Sequence, residues 1–284
     1  MRRPAIFLGL GLCLVLVAMV RAGSGRGVEL ASLHEAGGIS GAIRALFVTP
    51  DEAAKIAPES DPHPGVHPLP GVPGLVEVVL TPFSAKVGGR IGHYDLGRWP
   101  FENAPPMSPA YADPRGFVEV TPENASLHVS EHFTLGEFVT KNQSNLWPKY
   151  IVLEPRLLDK LELTIAKLKE TGHPVRNLFV MSGFRTPDYN ALELGPKARS
   201  KVSRHMYGDA ADVYPDDHGR GVIDDLNGDG RVDLADAKIL ADAAEAVERE
   251  HPALVGGIGI YPGNRVHGPF VHIDVRGKRA RWSG

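Results

Sequence analysis

The residues with the most chemistry to offer lie in "VSRHMYGDAADVY", Val202 to Tyr214, where a histidine, a glycine and an aspartate read H-x-x-G-x-x-x-D. His205 and Asp212 supply an imidazole and a carboxylate, donors suited to a divalent transition metal. Gly208 between them is expected to let the backbone bend where a side chain would crowd an ion. A catalytic zinc takes three protein ligands and keeps a fourth position open, so a third ligand must come from a distant segment. His272, set between apolar residues in "PFVHIDV", is the best candidate. Asp274 shares its face if that segment is a strand, and is expected either to orient a ligand or to act as the base. A short motif of this kind is weak alone, and its company has to decide.

A second pattern, "DDLNGDGRVDLADAKIL", suits a different ion. Counting Asp225 as position one places Asn227 at three, Asp229 at five, Gly230 at six and Asp236 at twelve. Oxygen donors at alternating positions wrap calcium, and glycine at six permits the sharp turn. Arg231 would give its carbonyl at seven, Asp233 would bind through water at nine, and Val232 at eight would anchor the loop. Aspartate at twelve reaches less far than the usual glutamate, so weaker binding is expected. The predicted role of this calcium is structural, fixing two zinc-ligand segments relative to one another. Reading the loop as a dockerin fails on number, because only one such loop occurs.

The elements that must position these residues follow from composition and pattern. The chain has 284 residues, 43% hydrophobic and 23% charged, with a formal net charge of -3. That is ordinary for a globular protein and offers no basic face for nucleic acid. "MRRPAIFLGLGLCLVLVAMVRAGSG" pairs two arginines with an apolar run and ends in V-R-A at Ala22, which predicts a cleaved signal peptide over 1–22. An uncleaved membrane anchor is the alternative. Either way the chain is expected to be exported, to the periplasm, envelope or medium. Cys13, the single cysteine, falls in that segment, so disulfides and thiolate sites are excluded from the mature chain.

Residues 23–74 read as a flexible Pro/Gly-rich linker region, on the strength of "APESDPHPGVHPLPGVPG". Residues 75–125 alternate β-branched runs with turn signals and predict a small β module, in which Tyr94 and Trp99 either complete a core or touch a ligand. Within 126–284, Leu157, Leu158, Leu161, Ile165 and Leu168 mark one helix face, with Pro155 at its start. "NLFVMSGFRTPDYN" reads as a buried strand entering a turn. A second helix starts near Leu234, and "PFVHIDV" reads as a strand. Without a βαβ rhythm the class is α+β: a small antiparallel sheet with helices packed on it and the zinc site on the sheet, preceded by the β module.

Three blocks in order, "SGFRTPDYN", "SRHMYGDAADV" and "GGIGIYPGNRVHGPFVHIDVRGKRARW", resemble the D-alanyl-D-alanine carboxypeptidase-like zinc peptidases, a group shared with lysostaphin and hedgehog. The closing block is most similar to the murein endopeptidase K branch. The resemblance covers roughly residues 130 to 282. It implies a zinc peptidase that cuts peptide bonds of bacterial cell-wall peptidoglycan, with His205, Asp212 and His272 as zinc ligands. It also implies that Arg185 steadies a substrate carboxylate or the oxyanion and that Ser203 contacts substrate. Many relatives carry a carboxylate three residues before the last histidine ligand, where this chain has Pro269. Asp274 or His267 must then serve as base, unless the protein has kept zinc, lost catalysis and only binds the wall.

Overall fold

The computed structural model describes residues 38–56, 63–69, 74–192 and 199–284. The expected signal segment and Cys13 lie outside them. Among the described residues no helix is long and apolar enough to cross a membrane.

Strand β1 (Ala45–Val48) leads into helix α1 (Pro50–Ile56), followed by β2 (Gly65–Pro68) and β3 (Val76–Val79). β3 is central in this three-stranded sheet, parallel to β1 and antiparallel to β2. The linker assignment for 23–74 is therefore corrected at 45–48, 50–56 and 65–68. "ALFV" is buried at all four positions, because its apolar side chains pair with "VEVV" of β3.

β4 (Thr81–Pro82), the hairpin of β5 (Arg90–Ile91) and β6 (Tyr94–Asp95), β7 (Gly116–Val120) and β8 (Lys149–Ile151) come next. β7 lies between β4 and β8, with Val118 opposite Ile151. That pairing crosses the expected boundary at 125, so 75–125 does not close on itself. One hydrophobic cluster runs from Val78 and Phe117 through Leu161 to Ile258 and Val271. Tyr94 and Trp99 are 1% and 3% exposed within it. They fill the core.

Helix α2 (Pro155–Glu170) buries the five predicted apolar positions completely or nearly so. After it come β9 (Phe179–Ser182), the short helix α3 (Pro187–Ala191), β10 (Ala210–Tyr214), helix α4 (Leu234–Glu250), β11 (Gly257–Tyr261), β12 (Phe270–Asp274) and β13 (Ala280–Ser283). The last five strands form a sheet in the order β13-β11-β12-β10-β9. It is antiparallel except at one edge, a correction to the all-antiparallel expectation. β13 turns back from β12 but lands beyond β11, so it must run parallel to β11. β9 is the opposite edge, and Phe179 is 45% exposed, so this strand is only half buried. α4 packs on β11 and β12 and α2 packs on α4. The alternation of a strand then sends Val271 and Ile273 one way, and His272 and Asp274 the other. The molecule is a mixed α+β structure of small sheets and few helices.

Candidate metal centre

Strand register does most of the positioning. Asp212 on β10 stands opposite His272 on β12 and opposite Ser182 on β9. His272 in turn faces Gly259 on β11, which faces Trp282 on β13. Ser182, Asp212, His272, Gly259 and Trp282 thus form one row across five strands, and paired residues on such a row hold their side chains ~5 Å apart.

His205 enters from outside the sheet, on a single 3-10 turn, Arg204–Tyr207. Gly208 ends that turn in the left-handed region, at φ 67. A Cβ there would overlap the carbonyl of Val152. The glycine therefore answers to a backbone contact, not to crowding of an ion as its place in the motif suggested. Arg204 braces the same turn: its Nε donates to Asp209 Oδ1 at 3.0 Å, and its guanidinium lies over the rings of Tyr111 and Tyr207. Trp99 Nε1 adds a hydrogen bond of 2.9 Å to the Met206 carbonyl.

The result is a small triangle. His205 Nε2 lies 3.2 Å from His272 Nδ1 and 3.3 Å from Asp212 Oδ1, and His272 Nδ1 lies 3.0 Å from Asp212 Oδ1. All three residues are buried, and they are the one group of three or more His, Cys, Asp or Glu among the described residues that can share a metal ion. Ligands at ~2.0–2.1 Å in tetrahedral geometry stand about 3.3–3.5 Å from one another, so the triangle is close to the base of such a site.

The remaining hydrogen bonds aim the lone pairs inward. His205 Nδ1 lies 2.7 Å from the Gly183 carbonyl, which can only accept, so the proton sits there and Nε2 faces the triangle. His272 Nε2 lies 3.0 Å from Asp274 Oδ2, which leaves Nδ1 facing inward. Asp212 turns Oδ1 to the triangle and gives Oδ2 to the Arg185 guanidinium. Three acceptors meeting in a buried spot repel one another until a cation joins them. The donor set fits a metal ion.

Burial pulls the His205 pKa down to about 4 against the opposing pull of Asp212, so this imidazole is neutral. Burial also acts on His272, but hydrogen bonds to Asp212 and Asp274 outweigh it and raise its pKa. Asp212 stays ionised well below the usual carboxylate range, because His205, His272 and Arg185 outweigh its burial.

A scan against models of protein families and a search of curated proteins both return no match to this chain.

Other expected residues are placed differently. Asp274 is 0% exposed, and its oxygens accept from His272, Arg276 and the Gly257 amide, so it orients His272 and is not free to act as a base. His267, the other expected base, has Nδ1 at 2.8 Å from the Gly268 carbonyl and Nε2 at 2.8 Å from Asn264 Nδ2, both within its own turn. Arg185 is committed to Asp212 and, through Nε at 2.9 Å, to Ser182 Oγ. It supports a ligand instead of standing open to substrate. Ser203 caps the His205 turn without a side-chain capping bond.

The loop 225–236 does not gather its carboxylates. Asp225 accepts backbone N–H groups from Gly228, Asp229 and Gly230, and Asp229 accepts from Arg231. Asp236 is 1% exposed and bonds the amides of Leu226, Asn227 and Asp233, forming a capping box with Asp233 at the start of α4. Asn227 gives its side-chain amide to Asp229, and Arg231 and Asp233 complete the loop. Asp236 thus ties the entry of the loop, through Oδ1, to the start of the helix, through Oδ2.

Several supporting residues escaped the sequence. Trp282 lies beside His272, ring centroids 5.1 Å apart, and donates to Tyr261 Oη at 2.8 Å. It gets there because Gly259 has no Cβ to overlap the indole. Gly257 likewise leaves room for the Asp274 carboxylate. Below them Lys160, 0% exposed, donates to the Asp274 carbonyl at 2.7 Å and to Glu248 at 2.6 Å. The signal that pointed here was "GGIGIY", glycines at alternate strand positions, which mark the close approach of other groups.

Proposed function

We propose that this chain is an exported zinc peptidase acting on the peptides of cell-wall peptidoglycan. The observation that carries the reading is the triangle of His205 Nε2, Asp212 Oδ1 and His272 Nδ1, with sides of 3.0 to 3.3 Å. Two imidazoles and one carboxylate are a donor set that zinc takes when it keeps a fourth position for chemistry. The three sequence blocks that resemble the D-alanyl-D-alanine carboxypeptidase-like peptidases supply the substrate class.

His205, Asp212 and His272 would hold the ion, which when bound supplies a Lewis acid and a water acidified to near neutral pH. The protein's own part is orientation. Gly183 and Asp274 fix which nitrogen each imidazole presents. Arg185 keeps Asp212 to one inward oxygen and adds a positive charge beside the site. Trp282 packs against the flank of His272.

A second reading has a specific observation behind it. Pro269 offers no carboxylate, Asp274 is fully engaged and His267 is bonded within its own turn, so no side chain in these positions is ready to take a proton. A wall-binding protein that retains zinc without hydrolysis is consistent with that. Digestion of purified peptidoglycan by the zinc-loaded chain, beside His205→Ala, separates the two. Released peptides from wild type alone support the peptidase. Sedimentation with the wall but no release from either protein supports the binder. Neither release nor binding overturns both.

A further inference from the structure

A cleft of ≈ 460 Å³ opens between the β5–β6 hairpin and α3, and none of the three candidate metal ligands lines it. Glycines shape its floor. A Cβ at Gly97 would overlap the Asp188 carboxylate, and one at Gly89 would stand 3.5 Å from the Gly97 Cα. Four charged side chains line it: Arg90, Asp95, Arg98 and Asp188. Arg90 Nε and Asp95 Oδ1 pair at 2.5 Å and cancel one another. Arg98 and Asp188 do not. Both are exposed, and neither side chain has a hydrogen bond or ion pair among the described residues. Asp188 is held in place nonetheless, because its amide donates to the Leu96 carbonyl at 3.2 Å and its carboxylate rests over Gly97.

One cation and one anion therefore face a common cleft without satisfying each other. We infer that this cleft binds an α-amino-acid head, its ammonium on Asp188 and its carboxylate on Arg98. The guanidinium fork matches a carboxylate with two parallel N–H donors, and the aspartate accepts from an ammonium. A partly exposed ion pair is worth little alone. A ligand that presents both charges on neighbouring atoms gains from the two together, the second contact forming within the complex already made. The glycine floor accepts a backbone or side chain behind the head. No residue of the cleft is a metal ligand, so this site stands or falls independently of the peptidase reading.

The test titrates the zinc-loaded full chain with norvaline and, separately, with its two halves, butylamine and pentanoate, following the amide shifts of Gly89, Gly97 and Asp188. Norvaline is expected to bind at least about tenfold more tightly than either half, a difference of ~1.4 kcal/mol. Arg98→Gln should reduce norvaline to the level of butylamine, and Asp188→Asn to the level of pentanoate. His205→Ala, which removes a metal ligand, should leave norvaline binding unchanged. Equal binding of norvaline and either half overturns the inference. So does norvaline binding that survives both cleft substitutions, or no shift at tens of millimolar. If norvaline binds as described while the wall is left intact, the cleft is real and the peptidase reading alone has failed.

Discussion

Two regions of this molecule look in sequence like cation sites, and the fold treats them in opposite ways. The triad draws His205 from a 3-10 turn, Asp212 from β10 and His272 from β12, and buries all three. The loop 225–236 keeps its donors within one local segment, mostly exposed apart from Asp236, and spends them on its own backbone amides. In the first, strand register sets Asp212 beside His272 and a separate turn brings His205 to them. In the second, each carboxylate has a nearby N–H to turn to. A buried convergence of two imidazoles and a carboxylate suits an ion, whereas a local acidic loop can satisfy itself.

The sharpest way to break that contrast is to remove one member of each region. Asp212→Ala or His272→Ala should abolish stoichiometric zinc by elemental analysis, with an affinity loss beyond about a hundredfold, while Asp225→Ala leaves zinc content unchanged. Equal zinc loss from both variants would dissolve the comparison.

Asp274→Asn should be next in size. It keeps the shape but weakens the acceptor for His272 Nε2–H and leaves Arg276 without its carboxylate. Zinc affinity is expected to fall about 10–100-fold, measured by competition with a chelating dye.

Acid should act on the triad and not on the loop. Zinc needs both imidazoles neutral. His205, with its pKa at about 4, is already neutral in mild acid, so the proton to be displaced is that of His272, whose pKa is raised. Zinc affinity should drop about tenfold per pH unit below the raised His272 value. In the zinc-free protein the signs separate. The contribution of His272 to stability is full below its unfolded pKa and disappears as pH rises through the folded one, while His205 costs stability as pH falls from ~6.5 toward its folded value of about 4. Melting with and without zinc across this range reads both.

Calcium is the smallest effect and the direct test of the loop. With zinc saturating, calcium against chelator should move the melting temperature only slightly, because binding must first pull Asp236 from the helix cap. A shift of many degrees would show that the loop rearranges into a full cage.

What the sequence disclosed follows the same division. The apolar face of α2, the start of α4 near Leu234 and the strand in "PFVHIDV" were readable, because they are local patterns. So was the grouping of His205, Asp212 and His272, through the H-x-x-G-x-x-x-D motif and the company of the "PFVHIDV" block. The register that places Asp212 opposite His272 was not, because it depends on strands far apart in the chain. The role of Asp274 needed Arg276 and Gly257 in view, and Trp282 needed the gap left by Gly259. The linker reading failed at 45–48 because proline and glycine density nearby masked four residues whose partner, β3, comes about thirty positions later.

The hydrogen bond from Trp99 to Met206 and the pairing of β7 with β8 have a practical corollary. The segment before residue 125 props the histidine turn from beneath and supplies the strand beside β8. A shortened chain beginning near residue 126, cut where the resemblance starts, would lack that buttress. The portion that carries the candidate metal ligands thus shares its core and a strand pairing with residues that look, on paper, like a dispensable preface.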